Sequence, residues 1–265
     1  MYGAPPHAHT RSNDQHNKPP PLPEQGCGEH DGDFTHGENG GSTGQQRQQR
    51  QPGKTWKYVL ASNNFRHLDG ERGMEEIHVI MEKEKIDMVV GQETCQIEGM
   101  GERWDTGELY LNFGKAPDSK SRAKDGVCFI LSKRLRRRFE EGGRQVRKYS
   151  NRLASIRIPL GKGKNLYVVN VHFPHSGKTK ASHAAFLKMY LRAMGAAKAA
   201  DVTIVMGDFN ASFGNASGAE DEVCGPYGPS HISSNGEALR NLAAMHQQRD
   251  ALTFYPQKMD GTWVH

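Results

Sequence analysis

Four short polar clusters in this 265-residue chain each sit at the end of an apolar run. Asn63-Asn64 follows Trp56–Ser62, and Gln92-Glu93 follows Ile86–Val90. Asn170-Val171-His172 closes Leu166–Phe173, and Gly207-Asp208-Phe209-Asn210 follows Val202–Met206. Carboxylates, amides and an imidazole are the groups of acid–base chemistry and of hard-cation ligation. Loops at strand ends are where a rigid scaffold places reactive groups. A polar residue at a strand end also serves as a cap or turn, and Asp and Asn favour turns for that reason. One such cluster is more readily structural, whereas four in a row point to a site.

The elements that would carry these clusters follow from periodicity. Trp56–Ser62, Ile86–Val90, Tyr110–Phe113, Val127–Leu131, Leu153–Leu160, Leu166–Phe173 and Val202–Met206 have the length and β-branched or aromatic content of strands. Val202–Met206 is nearly continuous in apolar residues, broken only by Thr203, as expected of a strand covered on both faces. Met74, Ile77 and Met81 recur at helical spacing, as do Phe186, Tyr190, Ala193 and Ala197. Asn235 is placed to cap a helix carrying Leu239, Leu242 and Ala243. Strands dominate, several are adjacent, and a few helices intervene, which predicts an α+β layered domain.

Composition divides the chain near residue 54. Residues 1–54 hold seven Pro, nine Gly, seven Gln and five His but no Val or Ile, so a disordered leader is expected there. Folding is expected over 55–265. The leader carries five basic and six acidic residues, and the remainder carries 30 and 24, a net of +6. That modest surplus suits a phosphate-rich partner. No stretch approaches the roughly 18 apolar residues of a membrane span, and no apolar signal region opens the chain, so a membrane partner and secretion are not expected. The four cysteines (Cys27, Cys95, Cys128, Cys224) lack the spacing of a disulfide framework or a zinc site, which favours a reducing, intracellular setting. Lys133, Arg134, Arg136, Arg137, Arg138, Arg144, Arg147 and Lys148 form a basic stretch. It suits either a hairpin laid along a nucleic-acid backbone or an edge strand protected by charge.

The quoted motifs resemble the endonuclease/exonuclease/phosphatase (DNase I-like) superfamily. They are Ser62-Asn63-Asn64-Phe65-Arg66, Val90-Gly91-Gln92-Glu93, Asp125-Gly126-Val127, Asn170-Val171-His172-Phe173-Pro174 and Met206-Gly207-Asp208-Phe209-Asn210-Ala211. Asn235-Gly236-x-x-Leu239 and Thr262-Trp263 follow in order, and resemble most the LINE-retrotransposon and abasic-site-endonuclease branch. The resemblance implies a four-layer α/β/β/α sandwich. It also implies that the chain lacks the family's last strand, whose Asp-His pair would follow Thr262-Trp263, so weak or lost activity is expected.

The resemblance also implies roles. Asn64 and Glu93 would ligate Mg²⁺, with Mn²⁺ as the alternative. Asp208 would orient or activate the attacking water, Asn210 would hold the phosphate, and His172 would donate a hydrogen bond or a proton. His175 would contact phosphate. Arg134, Arg136, Arg137, Arg138 and Arg147 are candidate nucleic-acid contacts. The expected activity is metal-dependent phosphodiester hydrolysis of nucleic acid, with the nucleus a compartment that suits it. Two alternatives stay open: a phosphatase for inositol-phosphate or phospholipid head groups, and a non-catalytic nucleic-acid-binding or scaffold protein. Oligomeric state has no signature in the sequence.

Overall fold

The structure is a computed structural model that describes residues 57–102, 106–115, 125–216, 218 and 221–256. The leader, Thr262-Trp263 and any position for a last strand lie outside the described residues.

Nine strands and four helices are found among the described residues. They run β1 (Leu60–Asn64), α1 (Gly70–Glu84), β2 (Met88–Gln92), β3 (Gly99–Glu102), β4 (Leu109–Phe113), β5 (Val127–Leu131), α2 (Lys133–Glu141), β6 (Val146–Ser150), β7 (Leu153–Gly161), β8 (Lys164–His172), α3 (Lys180–Met194), β9 (Asp201–Asp208) and α4 (Ser234–Met245). A 3-10 turn, Ala251–Phe254, follows. The strands form two mixed sheets, ordered β1-β2-β5-β4-β3 and β6-β7-β8-β9. Among the described strands only β1–β2 and β8–β9 pair in parallel.

Alternation along the strands decides the layers. Met88, Val90, Leu111 and Phe129 of the first sheet face Ala154, Ile156, Ile158 and Val168 of the second, forming one apolar slab. The opposite face of the first sheet presents Val89, Cys128 and Ile130 to Ile77 and Met81 of α1. The outer face of the second presents Tyr167, Val169 and Val171 to Phe186, Tyr190 and Ala193 of α3. The result is the expected α+β sandwich in α/β/β/α order. Asn170 ties the two sheets through the slab. Its fully buried amide donates to Gly91 O at 3.0 Å and Cys128 O at 2.8 Å, and accepts from Gln92 Nε2 at 2.8 Å.

Two local expectations are corrected and a third is qualified. The basic run is neither hairpin nor edge strand through Lys133–Glu141. It is helix α2, capped by Ser132 Oγ, and only Leu135 and Phe139, one turn apart, are buried. The charged residues occupy the rest of its surface, so the short apolar stripe was hidden among them. Asn235 is not the cap of α4. Ser233 Oγ accepts from Gly236 N, while Asn235 turns inward to donate to Pro174 O and Asn210 O. Finally, β9 packs on both faces, through Ile204 and Met206 on the inter-sheet slab and Val205 on the α3 side, but is only partly buried. It is an edge strand of intermediate burial, with Val202 50% exposed.

Candidate active site

Parallel pairing explains why the polar clusters meet. β1 and β2 run side by side in register Asn64↔Gln92, so Asn64 and the following Glu93 leave the first sheet at one end. β8 and β9 pair as His172↔Asp208, which places these two side by side at one end of the second sheet. The packed sheets bring both ends together. Asn64 Nδ2 donates to Glu93 Oε1 and to Asp208 Oδ2, each at 3.0 Å, although 144 residues separate Asn64 from Asp208. His172 Nε2 lies 3.4 Å from Glu93 Oε1. One ligand atom from each of Glu93, His172 and Asp208 falls within 4.8 Å of the others.

Backbone strain concentrates around this point. Glu93, Arg66, Cys95, Asp125 and Asn210 all have φ between 46° and 59°, a left-handed conformation that non-glycine residues seldom adopt. At Glu93 it turns the carboxylate out of the end of β2 toward Asn64. Gly207 has φ 139°, and a Cβ there would lie 1.9 Å from Val171 O. Only glycine lets β9 approach β8 closely enough to set Asp208 beside His172.

The imidazole of His172 is buried, and among the described residues its Nδ1 makes no hydrogen bond. Burial, and next the charge of Arg152, push its pKa below the ordinary histidine value, against the pull of Asp208, Glu93 and Asp125. The ring is therefore neutral near pH 7, with Nε2 directed at Glu93.

Arg152 is a supporting residue that sequence reading missed. Its Nη1 donates to His172 O at 3.3 Å and Phe173 O at 3.5 Å, and its Nη2 donates to Asp125 Oδ1 at 2.6 Å. Asn151 Nδ2 adds a bond to Asp125 Oδ2 at 3.2 Å. The only signal was the Asp125-Gly126 pair before β5. Arg152 itself sits in a turn where an arginine carries no pattern.

The remaining candidates fall differently. Asn64 Oδ1 accepts from Arg66 N at 3.0 Å, so the amide presents its NH₂ to the two carboxylates. Asn210 adjoins the cluster: its backbone N–H donates to Asp208 Oδ1, and its Nδ2 donates to Phe173 O at 2.8 Å. His175 is exposed and its Nδ1 accepts from Gly177 N, within its own turn. The arginines of α2 lie elsewhere. Arg134 grips Asp87, at the opposite end of β2 from Glu93, with bonds of 2.9 and 2.5 Å. Arg136 donates to Glu140 and Gly107 O, and Arg138 to Pro159 O. Arg137 on α2 and Arg147 on β6 are exposed.

The layering and strand order define a two-sheet α/β/β/α sandwich. Solved structures to which the chain is similar include an AP endonuclease from Leishmania major (13% identity, TM-score 0.47, covering 72% of this chain and 66% of that one). Others are a 3′ phosphatase from Neisseria bound to a product DNA hairpin (14%, 0.42, 70% and 70%) and an AP endonuclease from Archaeoglobus fulgidus (14%, 0.43, 77% and 80%). No family model and no curated protein matches the chain.

Proposed function

We propose that the chain is built for metal-dependent hydrolysis of phosphodiesters in nucleic acid. The observation that carries this is the convergence of Asn64, Glu93, His172 and Asp208, from four strand ends of two sheets, on one point. Glu93 and Asp208 supply two carboxylates, the hard oxygen donors that suit Mg²⁺ or Mn²⁺, and their two charges balance a divalent cation. Asn64 adds an amide that reaches both. When bound, such a cation polarises a phosphoryl oxygen and stabilises a leaving oxygen.

The chain's own groups do the rest. Asp208, fixed by Asn64 and by the Asn210 N–H, is placed to orient water. The neutral His172 ring offers an Nε2–H to an anionic oxygen and is held against rotation by its buried setting. Asn210 retains a second amide hydrogen beyond the one given to Phe173 O, and this suits a phosphate oxygen. Fixed donors aimed at developing charge are the main source of rate in such a reaction. The net +6 of residues 55–265 supports a polyanionic substrate.

The assay is cleavage of plasmid and abasic-site DNA, RNA and a panel of small phosphate esters, with Mg²⁺, Mn²⁺ or EDTA. Nucleic acid is expected to be cut only with metal, and Asp208→Ala is expected to slow cutting by about 10²–10⁴-fold, the usual worth of acid–base help. Metal-independent cutting, or cutting indifferent to that substitution, overturns the reading. Hydrolysis confined to small esters transfers the site to the phosphatase alternative.

A further inference from the structure

We infer that the chain has a second divalent-metal site, formed by His78, Glu82 and Glu108, which takes Zn²⁺ and fastens α1 to β4. His78 and Glu82 lie one turn apart on α1, so both side chains project from one helix face. Glu108 immediately precedes β4. One ligand atom from each of the three lies within 4.8 Å of the others. His78 Nδ1 and Glu108 Oε1 are already 3.0 Å apart, close to the roughly 3.3 Å edge of a tetrahedron with Zn–N and Zn–O bonds of about 2.0–2.2 Å.

Burial separates this group from an ordinary surface pair. Glu108 is only 4% exposed, yet among the described residues no Lys or Arg pairs with it. Its partners are the His78 ring and the Thr106 hydroxyl, the latter at 3.4 Å on the other carboxylate oxygen. A carboxylate withdrawn from water costs several kcal/mol unless its charge is met. Two carboxylates, a neutral imidazole and a divalent ion sum to zero charge. The nitrogen donor favours Zn²⁺ over Mg²⁺, which prefers oxygen and retains water. Thr106 is placed to orient the buried ligand, as hydrogen-bonding groups around metal sites commonly do. Glu82 is exposed and its carboxylate is free to swing the last ångström inward.

The test uses the full-length chain carrying Glu93→Gln and Asp208→Asn, which disables the carboxylates of the other cluster. Zn²⁺ is titrated by calorimetry, thermal unfolding is followed with and without Zn²⁺, and Co²⁺ is added as a visible-absorption probe. Histidines of the leader can take up Zn²⁺, so the decisive quantity is the uptake that depends on His78 and Glu82. Adding His78→Ala should remove about one equivalent of Zn²⁺, the intense Co²⁺ band of a four-coordinate ion and the rise in melting temperature. Glu82→Gln, at an exposed position that does not threaten folding, should weaken that equivalent at least about tenfold. Zn²⁺ uptake, Co²⁺ spectrum and melting temperature all unchanged by both substitutions would overturn the proposal. If His78→Ala fails to fold, Glu82→Gln alone decides: unaltered affinity overturns it and weakened affinity supports it.

Discussion

Asn170 and Gln92 show how a motif residue can serve the frame beside a site rather than the site. Both lie at strand ends next to reactive side chains, yet both are buried and spend their amides on Val90 O, Gly91 O, Cys128 O and each other. Asn170→Ala would leave the carbonyls of Gly91 and Cys128 without their amide donor, and a buried polar group left unmet costs about 1–3 kcal/mol. A loss of about 2–4 kcal/mol is expected by urea unfolding. Asp201 offers a second test. Its fully buried carboxylate is held by Arg157 through bonds of 2.8–3.3 Å and by Asn165 Nδ2 and Lys198 N. Burial opposes its charge, but these bonds and the Arg157 charge outweigh burial and hold the carboxyl below the usual 3.8. A group lowered on folding stabilises at pH above its unfolded value and loses that stabilisation as pH falls. The pair's contribution is therefore full near neutrality and fades below about pH 3.8. Asp201→Asn should cost about 3–5 kcal/mol near pH 7, and the gap from the parent chain should narrow as the medium is acidified below that point.

Helices and strands differ in how much of themselves they reveal in sequence. β5, β7 and β8 were legible because each is an unbroken or alternating apolar run bounded by polar residues. β3, Gly99–Glu102, was not, since a Gly-Met-Gly-Glu segment has neither pattern and is ordered only by pairing with β4. α2 was missed for the opposite reason: its sequence is dominated by charge, and two apolar residues suffice because both are buried against the inter-sheet slab. The candidates Asn64, Glu93, His172 and Asp208, which the structure brings together, stand out by their motifs, but Arg152 and the left-handed turns around it do not, because tertiary contacts alone define them. At this scale Gly207 is the sharpest probe. Gly207→Ala adds a methyl against Val171 O and forces β9 away from β8. The expected result is a lower melting temperature together with loss of cleavage, whereas Asp208→Ala should slow cleavage by about 10²–10⁴-fold and leave melting nearly unchanged.

Among the described residues, the arginines of α2 stand away from the candidate site, whereas Arg152 stands at it. α2 stands at the far end of β2, and Arg134 there neutralises Asp87 and caps Lys57 O. Arg134→Ala should therefore behave as a stability variant, leaving a buried aspartate without its partner, with cleavage falling only as folded protein is lost. Arg137→Glu should leave both melting and cleavage essentially as they are. Equal and large losses of nucleic-acid affinity from Arg137→Glu and Arg147→Glu, read as a shallower salt dependence of binding, would instead show that the substrate wraps the basic end.

The 144-residue separation between Asn64 and Asp208 also bears on how the chain is made. During synthesis α1, β2 and the first sheet emerge long before β9, so a growing polypeptide displays Asn64 and Glu93 with nothing opposite them. In a ribosome-bound chain the cluster therefore stays incomplete until Asp208 has left the exit tunnel. Its four side chains meet only when β8 and β9 close against the first sheet.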